Sequence, residues 1–578
     1  MRKQTKLVAV LCTAALLAIG ASMTSFAAQG WAEEDGTWVY YDKNGDKVSN
    51  EWKKSGDNWY YLDDNGEMTV DELIEDDDNY YYVDANGAMV TNQWVAVENE
   101  DAGEEDEPDH YWYYFQANGK AYKRSDSASE NTVVTKVING KKYAFDTEGK
   151  MLYGWVSGAD RETGDDAWKQ DNALWYFGDE DDGAMSVGWR LIHIVDDDFD
   201  SAGTQPDPEG DVWDDEQDRW FYFQSSGKKK AASSDDGMVT KTINGKKYGF
   251  DQYGRMVSEW YTKADPTTDK IATGSHASGT ASSNNAQGAS NYSNSFMYFR
   301  SPEDGARYTK GWFKVTPGYY LQKGKYDDGD EYWYYADGDG KIYANSVEKI
   351  KGKKYAFDEY GRMINGLVFL QFDDEISNTI IGRYEDDNAD TGRYDTEDDF
   401  DAFVKSYADE INEGTIRCYY FGNSDDGSMK TGKQTVDIDG DNFTFKFRNS
   451  GALKGAGYIG IDDKKLYMAG KQVKADKDDK YNIYKVTTKV AGQETCIVEK
   501  VDTAVFLKDE NLVTKTRNAK DDAWVYTVKA DAYANDVFYY LVNTSGSLVK
   551  SKSGAKDGDS YKFEVDKNYK IKTVTLED

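Results

Sequence analysis

The residues best equipped for chemistry in this chain are paired tryptophans. Trp31 and Trp38, and then Trp52 and Trp59, place two indole rings seven positions apart, and Trp94 and Trp112 return as a wider pair. An indole face is electron-rich and attracts an organic cation, above all a quaternary ammonium, which has no N–H to donate. Neutral sugars stack on the same kind of face. Each cation–ring contact contributes about 0.5–2 kcal/mol, so useful affinity needs several sites on one polymer. The competing reading is that an aromatic stripe is simply core. Tyr61, Tyr82, Phe145, Phe250 and Phe357 lie inside predicted strands and are expected to be core.

Catalytic chemistry has little to stand on. His110, His193 and His276 are the only histidines, each in or beside a different insert, where solvated loop side chains are expected. They share no metal-ligand spacing, and no Ser/His/Asp or Cys/His arrangement is visible. Cys418 and Cys496 lie far apart, fit no metal spacing, and are expected to be inert thiols. The stretch 427–434 (GSMKTGKQ) looks like a phosphate loop, but Gln434 stands in the Ser/Thr position and no helix follows. Acidic runs at 76–78, 179–182, 196–198 and 425–426 are expected to be solvated turns. Ca²⁺ would relieve their repulsion, although none has the EF-hand spacing. No other cofactor is expected.

The elements that must position the tryptophans are read from a repeat. One slot holds Trp31, Trp52, Leu73 and Trp94, a step of 21 residues. A second slot, seven further on, holds Trp38, Trp59 and Tyr80, and Asn44-Gly45, Asn65-Gly66 and Asn86-Gly87 close the units. A fixed step of this length marks a solenoid or array. Asn-Gly after an aromatic run is expected to be the hairpin turn, since both turn positions take φ > 0. The fold class is therefore all-β, a β-hairpin solenoid of about 20-residue aromatic repeats.

After Trp94 the units lengthen and three hairpin types cycle, with a super-repeat of roughly 105–122 residues. One type carries Trp112, Trp220 or Trp333. Another reads INGKKYAFDTEGKM from Ile138 and returns from Ile243 and Ile350. The third carries Tyr176, Tyr298 and Tyr420, spaced by 122 residues. Trp155, Trp189, Trp260 and Trp312 continue the leading slot. In the second slot Lys142, Lys247 and Lys354 would repel a cation, and Leu174, Phe296 and Cys418 also break it. One short amphipathic helix is expected at 396–412, capped by Thr396.

Residues 1–27 read as a secretory signal peptide. Arg2, Lys3 and Lys6 precede a short apolar run, and Ser25-Phe26-Ala27 fits a cleavage site. Regular repeats follow at 28–122 and degenerate repeats with long acidic inserts at 123–475. Residues 476–578 are either capping repeats or a small β-domain. Cleavage removes three basic residues and no acidic one, taking the net charge from −37 to −40. Such a surface excludes nucleic acid as a partner. No other run is long and apolar enough to span a membrane.

The units at 31–92 resemble the choline-binding or cell-wall-binding repeats of Gram-positive surface proteins, whose pattern is roughly GWxxxxxxWYYFDxNGxM. Related repeats occur in glucan-binding domains and in clostridial toxin receptor-binding tails. The resemblance covers about residues 31–470. It implies that hairpins stack, and that two aromatics of one unit and one of the next cage the choline of teichoic acid. Carried over, Trp31 and Trp38 would combine with Trp59 or Tyr60, and Trp52 and Trp59 with Tyr80 or Tyr81. Trp94 and Trp112 complete the set. The implied function is non-enzymatic: a secreted protein held on a cell-wall polymer by its own repeats. The alternative is an adhesin that recognises glucan or host glycans. An enzyme seated in 476–578 is the third possibility, weakened by the absence of histidine there.

Overall fold

The computed structural model describes residues 29–577 other than 105, 171–173, 197–215, 234–237, 263–295, 318–327, 385–393, 489–495, 521, 534–535 and 559. The signal segment 1–27, His276 and the acidic residues 197–198 lie outside the described residues. The first units are two-stranded antiparallel hairpins. β1 (Gly30–Glu34) pairs with β2 (Thr37–Tyr41), β3 (Glu51–Ser55) with β4 (Asn58–Leu62), β5 (Glu72–Asp76) with β6 (Asn79–Val83), and β7 (Gln93–Glu98) with β8 (His110–Phe115).

The Asn-Gly pairs are not the hairpin tips. The β1–β2 tip is Asp35-Gly36, with φ of 51° and 86°, and the β5–β6 tip is Asp77-Asp78, with φ of 49° and 56°. Asn44-Gly45 instead turns the chain out of β2. There Asp42 Oδ1 accepts from the N–H of Asn44 (2.7 Å) and of Asp46 (2.9 Å), and only the glycine has positive φ. The aspartate makes the turn, an Asx-type arrangement that the Asn-Gly signal obscured. The glycine is required by close approach as well. A Cβ on Gly66 would stand 2.8 Å from the Val48 carbonyl of the preceding unit.

The segment after each such turn sews its unit to the one before. Met68 N–H donates to the Trp38 carbonyl at 2.7 Å and Met89 N–H to the Trp59 carbonyl at 2.8 Å. Hairpin follows hairpin, and a buried column runs through Leu62, Val83, Phe115, Phe145, Phe177 and Phe223. Phe145, Phe250 and Phe357 are core, as expected, whereas Tyr61 and Tyr82 are half-buried. The chain divides into two compact units after Val257. In the first unit the later hairpins include Gly188–Val195 with Glu216–Phe223, and Met238–Ile243 with Lys246–Asp251. In the second they include Gly311–Val315 with Tyr332–Ala336, and Ser346–Ile350 with Lys353–Phe357.

The expected single helix is two. α1 (Glu397–Ser406) is capped by Thr396, whose hydroxyl accepts from Asp399 N–H at 3.2 Å. It stops at Tyr407, where φ is −113° and ψ 29°, and α2 (Ala408–Glu413) follows. Tyr407 leaves helical geometry as its ring packs on Phe403 (4.7 Å) and Tyr384 (5.0 Å). A third helix, α3 (Thr503–Lys508), was not legible in the repeat pattern. Beyond 476 the strand Tyr481–Thr488 lies between Cys496–Val501 and Val537–Asn543. Tyr484, Val486 and Val498 join the core of Phe445, Phe447 and Leu466, while Ile483 and Leu541 pack with Phe563 and Val574. Cys418 is buried and Cys496 half-buried, and both are free thiols. Burial pushes the Cys418 thiol well up.

The Asx-type turn repeats at Asp146, which is deeper. Its Oδ1 accepts from Glu148 N–H (2.9 Å) and Lys150 N–H (2.8 Å), but burial outweighs these bonds and pushes its carboxyl up to about 6. An unfolded aspartate titrates near 3.8. The folded state therefore holds its proton more tightly, and this group's contribution to stability falls as pH rises from about 4 to about 6. Asp146→Asn keeps the acceptor and removes the charge. It is expected to add about 1–3 kcal/mol at pH 7 and to abolish that fall, as measured by urea unfolding at pH 4 and pH 7.

Candidate functional site

Side chains alternate across each hairpin, and this decides which rings meet. Trp31 stands opposite Tyr40 on the face turned to the next hairpin. Tyr60 is the residue that the next hairpin turns back to it, at 5.4 Å and 72° between ring planes. Trp52 meets Tyr81 in the same way, at 5.1 Å. Trp59 and Tyr80, the other partners named above, point forward. Tyr80 packs with Leu73 and Tyr82 against Tyr113 and Phe115. Trp38 and Trp59 are 38% and 41% exposed, and among the described residues neither ring has another ring in contact. The opening units thus hold a tryptophan–tyrosine pair each, with the second indole open to solvent.

Complete boxes form where a hairpin carrying Trp112, Trp220 or Trp333 meets the hairpin after it. Trp94 lies 6.4 Å from Trp112 at 85°, and 4.9 Å from Tyr143 of the next unit. Trp189 lies 6.2 Å from Trp220 at 90°, and 4.9 Å from Tyr248. Trp312 lies 6.3 Å from Trp333 at 87°, and 4.8 Å from Tyr355. The inner rings also recur: Tyr114 and Phe145 beside Trp94 (5.2 and 5.8 Å), Tyr222 and Phe250 beside Trp189 (5.2 and 5.6 Å). Met151 and Met363 pack in the first and third clusters, and each of Met151, Met256 and Met363 donates its N–H to the carbonyl of the second tryptophan. Three ring faces at steep angles around one point form a receptor for a cation without hydrogen-bond donors.

Only Trp94 and Trp112 of this set were named from sequence. Trp189, Trp220, Trp312, Trp333 and the three tyrosines were missed because inserts break the seven-residue spacing. The usable signal is register. In every box the leading tryptophan pairs across the hairpin with the residue two after the second tryptophan: Trp94 with Tyr114, Trp189 with Tyr222, Trp312 with Tyr335. The lysines expected to repel a cation do not intrude. Lys142, Lys247 and Lys354 each precede the box tyrosine by one position and so occupy the opposite face of their strand.

Two local details bear on charge. His110 is not a solvated loop residue. It opens β8, half-buried, 5.3 Å from the Trp112 ring, with Nε2 3.5 Å from Asp181 Oδ1. His193 also lies in a strand, 3.2 Å from Asp218. Secondly, the box around Trp155 already contains a cation. Lys229 Nζ sits 4.8 Å from the Trp155 ring centre and 5.9 Å from that of Phe221, and donates to the Trp168 carbonyl at 2.9 Å. Leu174 replaces the second indole there. Burial lowers the Lys229 ammonium to about 8. Among the described residues no group of three or more His, Cys, Asp or Glu is placed to hold a metal. No helix among them is long and apolar enough to cross a membrane.

No curated protein matches the chain. Among solved structures it is similar to the modular autolysin LytC from Streptococcus pneumoniae in complex with a synthetic peptidoglycan ligand. That match has 15% identity, covers 59% of this chain and 54% of the autolysin, and has a TM-score of 0.29. It is also similar to the choline-binding domain of CbpL from Streptococcus pneumoniae (21% identity, 40% and 88% coverage, TM-score 0.24). A third is choline-binding protein F from the same organism with a peptidoglycan analogue (18% identity, 59% and 100% coverage, TM-score 0.23). The choline-binding repeat family matches residues 49–94, which span the hairpins β3–β4 and β5–β6 and end on Trp94. Residues 49–94 of this all-β row of hairpins are choline-binding repeats.

Proposed function

We propose that this chain is a non-enzymatic, secreted surface protein held on a cell-wall polymer by quaternary ammonium groups, as in choline-bearing teichoic acid, seated in its Trp/Trp/Tyr boxes. The observation that carries this reading is the threefold recurrence of one box, with ring separations that agree within 0.2 Å (6.4, 6.2 and 6.3 Å between the tryptophans). Core packing alone does not require two perpendicular indoles at every third hairpin. The charge supports it too. A chain at −37 is repelled by an anionic wall polymer, so attachment needs a specific cationic group. One feature favours a glycan at the first units instead: Trp38 and Trp59 present open faces with no cage around them.

The test is co-sedimentation of the mature protein with choline-bearing cell walls. Binding is expected, with release by free choline in the millimolar range. Release by oligosaccharides but not by choline would transfer the function to the glycan reading, and failure to sediment would overturn wall attachment.

A further inference from the structure

A cavity of about 750 Å³ lies within the second unit, between α1–α2 and the strands Tyr481–Thr488 and Cys496–Val501. It belongs to none of the boxes. The volume is that of a small-molecule site. One wall is apolar, formed by Val404, Ile411, Val473 and Val498. Tyr484 also lines it and is only 5% exposed, yet among the described residues its hydroxyl has no hydrogen-bond partner. Folding places few such groups out of water unsatisfied, because each costs free energy that a partner would recover.

The surrounding charge indicates what that partner is. Asp401 lines the cavity but is bound to Lys471 at 2.8 Å, and Glu499 is bound to Lys485 at 2.8 Å. Asp479 and Asp502 also line it, and neither has a basic partner among the described residues. Asp479 accepts instead from the Asn482 amide at 2.8 Å, and Asp502 from Val505 N–H at 2.9 Å. The field at Tyr484 is negative as well. After burial, the carboxylates of Asp401, Asp476 and Glu397 hold its hydroxyl well above the ordinary tyrosine range. A protonated phenol in a negative field has lone pairs to offer a cation that carries N–H groups. A quaternary ammonium has none, and an anion meets the carboxylates.

We infer that this cavity binds a small amphiphilic primary ammonium, its N–H groups donated to the Tyr484 oxygen and the Asp479 side, its apolar body on Val404, Ile411 and Val498. The site is independent of the wall-binding reading and takes a different head group.

The experiment is calorimetric titration of the full mature chain with hexylammonium in the presence of saturating choline, which occupies the boxes. One site is expected, absent for hexyltrimethylammonium and for hexanoate. Tyr484→Phe removes only the hydroxyl and is expected to weaken hexylammonium binding at least tenfold with Tm unchanged. Asp479→Asn is expected to weaken it as well, and provides a second reading should the first variant lose stability. No choline-insensitive hexylammonium site, equal binding of the quaternary analogue, or unchanged binding in both variants would overturn the inference. Loss of choline binding with hexylammonium binding intact would count against the boxes alone.

Discussion

Replacing Trp112, Trp220 and Trp333 together by alanine is expected to detach the protein from a choline-bearing polymer, lowering its apparent affinity by about 10²–10⁴-fold. These three are chosen over the leading tryptophans for a structural reason. Trp94 contacts Tyr114, Tyr143 and Phe145 as well as Trp112, so its loss would disrupt hairpin packing along with the site. Trp112, Trp220 and Trp333 are half-buried, each with a single indole partner in its box. A single substitution removes one ring face, about 0.5–2 kcal/mol of cation attraction. Because the sites act on one polymer, each loss multiplies through the remaining ones. Surface binding to immobilised polymer, with circular dichroism to show the strands intact, measures the effect. A triple variant that binds like the parent would exclude the boxes and leave the exposed Trp38 and Trp59 as the contact.

Lys229→Met is expected to stabilise the protein by about 2 kcal/mol at pH 7. In the unfolded chain this lysine titrates near 10.5, and in the fold near 8. Below pH 8 both states are protonated, and the fold bears the whole desolvation cost, about 3 kcal/mol at 1.36 kcal/mol per pKa unit. From about pH 8 to 10.5 the folded state gives up its proton first, so this group makes stability rise with pH in that window. Methionine is the residue at the matching position of all three complete boxes: Met151, Met256 and Met363. The substitution removes the buried charge, and it loses the bond to the Trp168 carbonyl, worth about 1 kcal/mol. Urea unfolding at pH 7 and pH 9.5 decides it. A variant no more stable at pH 7, or one that keeps the parent's rise between the two pH values, would show that Lys229 is charged at little cost inside its aromatic box.

The hairpin repeat was legible because its determinants are local. The 21-residue step, the aromatic run in each second strand and the Thr396 cap all act within one unit, and the structure places strands and cap where those residues stand. The turn was misread for an equally local reason. Asn44-Gly45 looked like a hairpin tip, but the side chain of Asp42, two residues earlier, organises that turn, and Asp35-Gly36 makes the tip.

The sequence by itself thus determined that the chain is a row of aromatic hairpins, and that its tryptophans are the groups with chemistry to offer. Only the tertiary structure decided which tryptophans cooperate. A box draws two rings from one hairpin and one from the next, so it depends on strand register and on which face the pleat gives each ring. Inserts change sequence spacing without changing register. That is why Trp189 with Trp220 and Trp312 with Trp333 form boxes although their separations in sequence resemble nothing in the opening units. Burial decided the remainder: the same turn aspartate is held low at Asp42 and pushed up at Asp146, and a lysine at a methionine position became an internal cation.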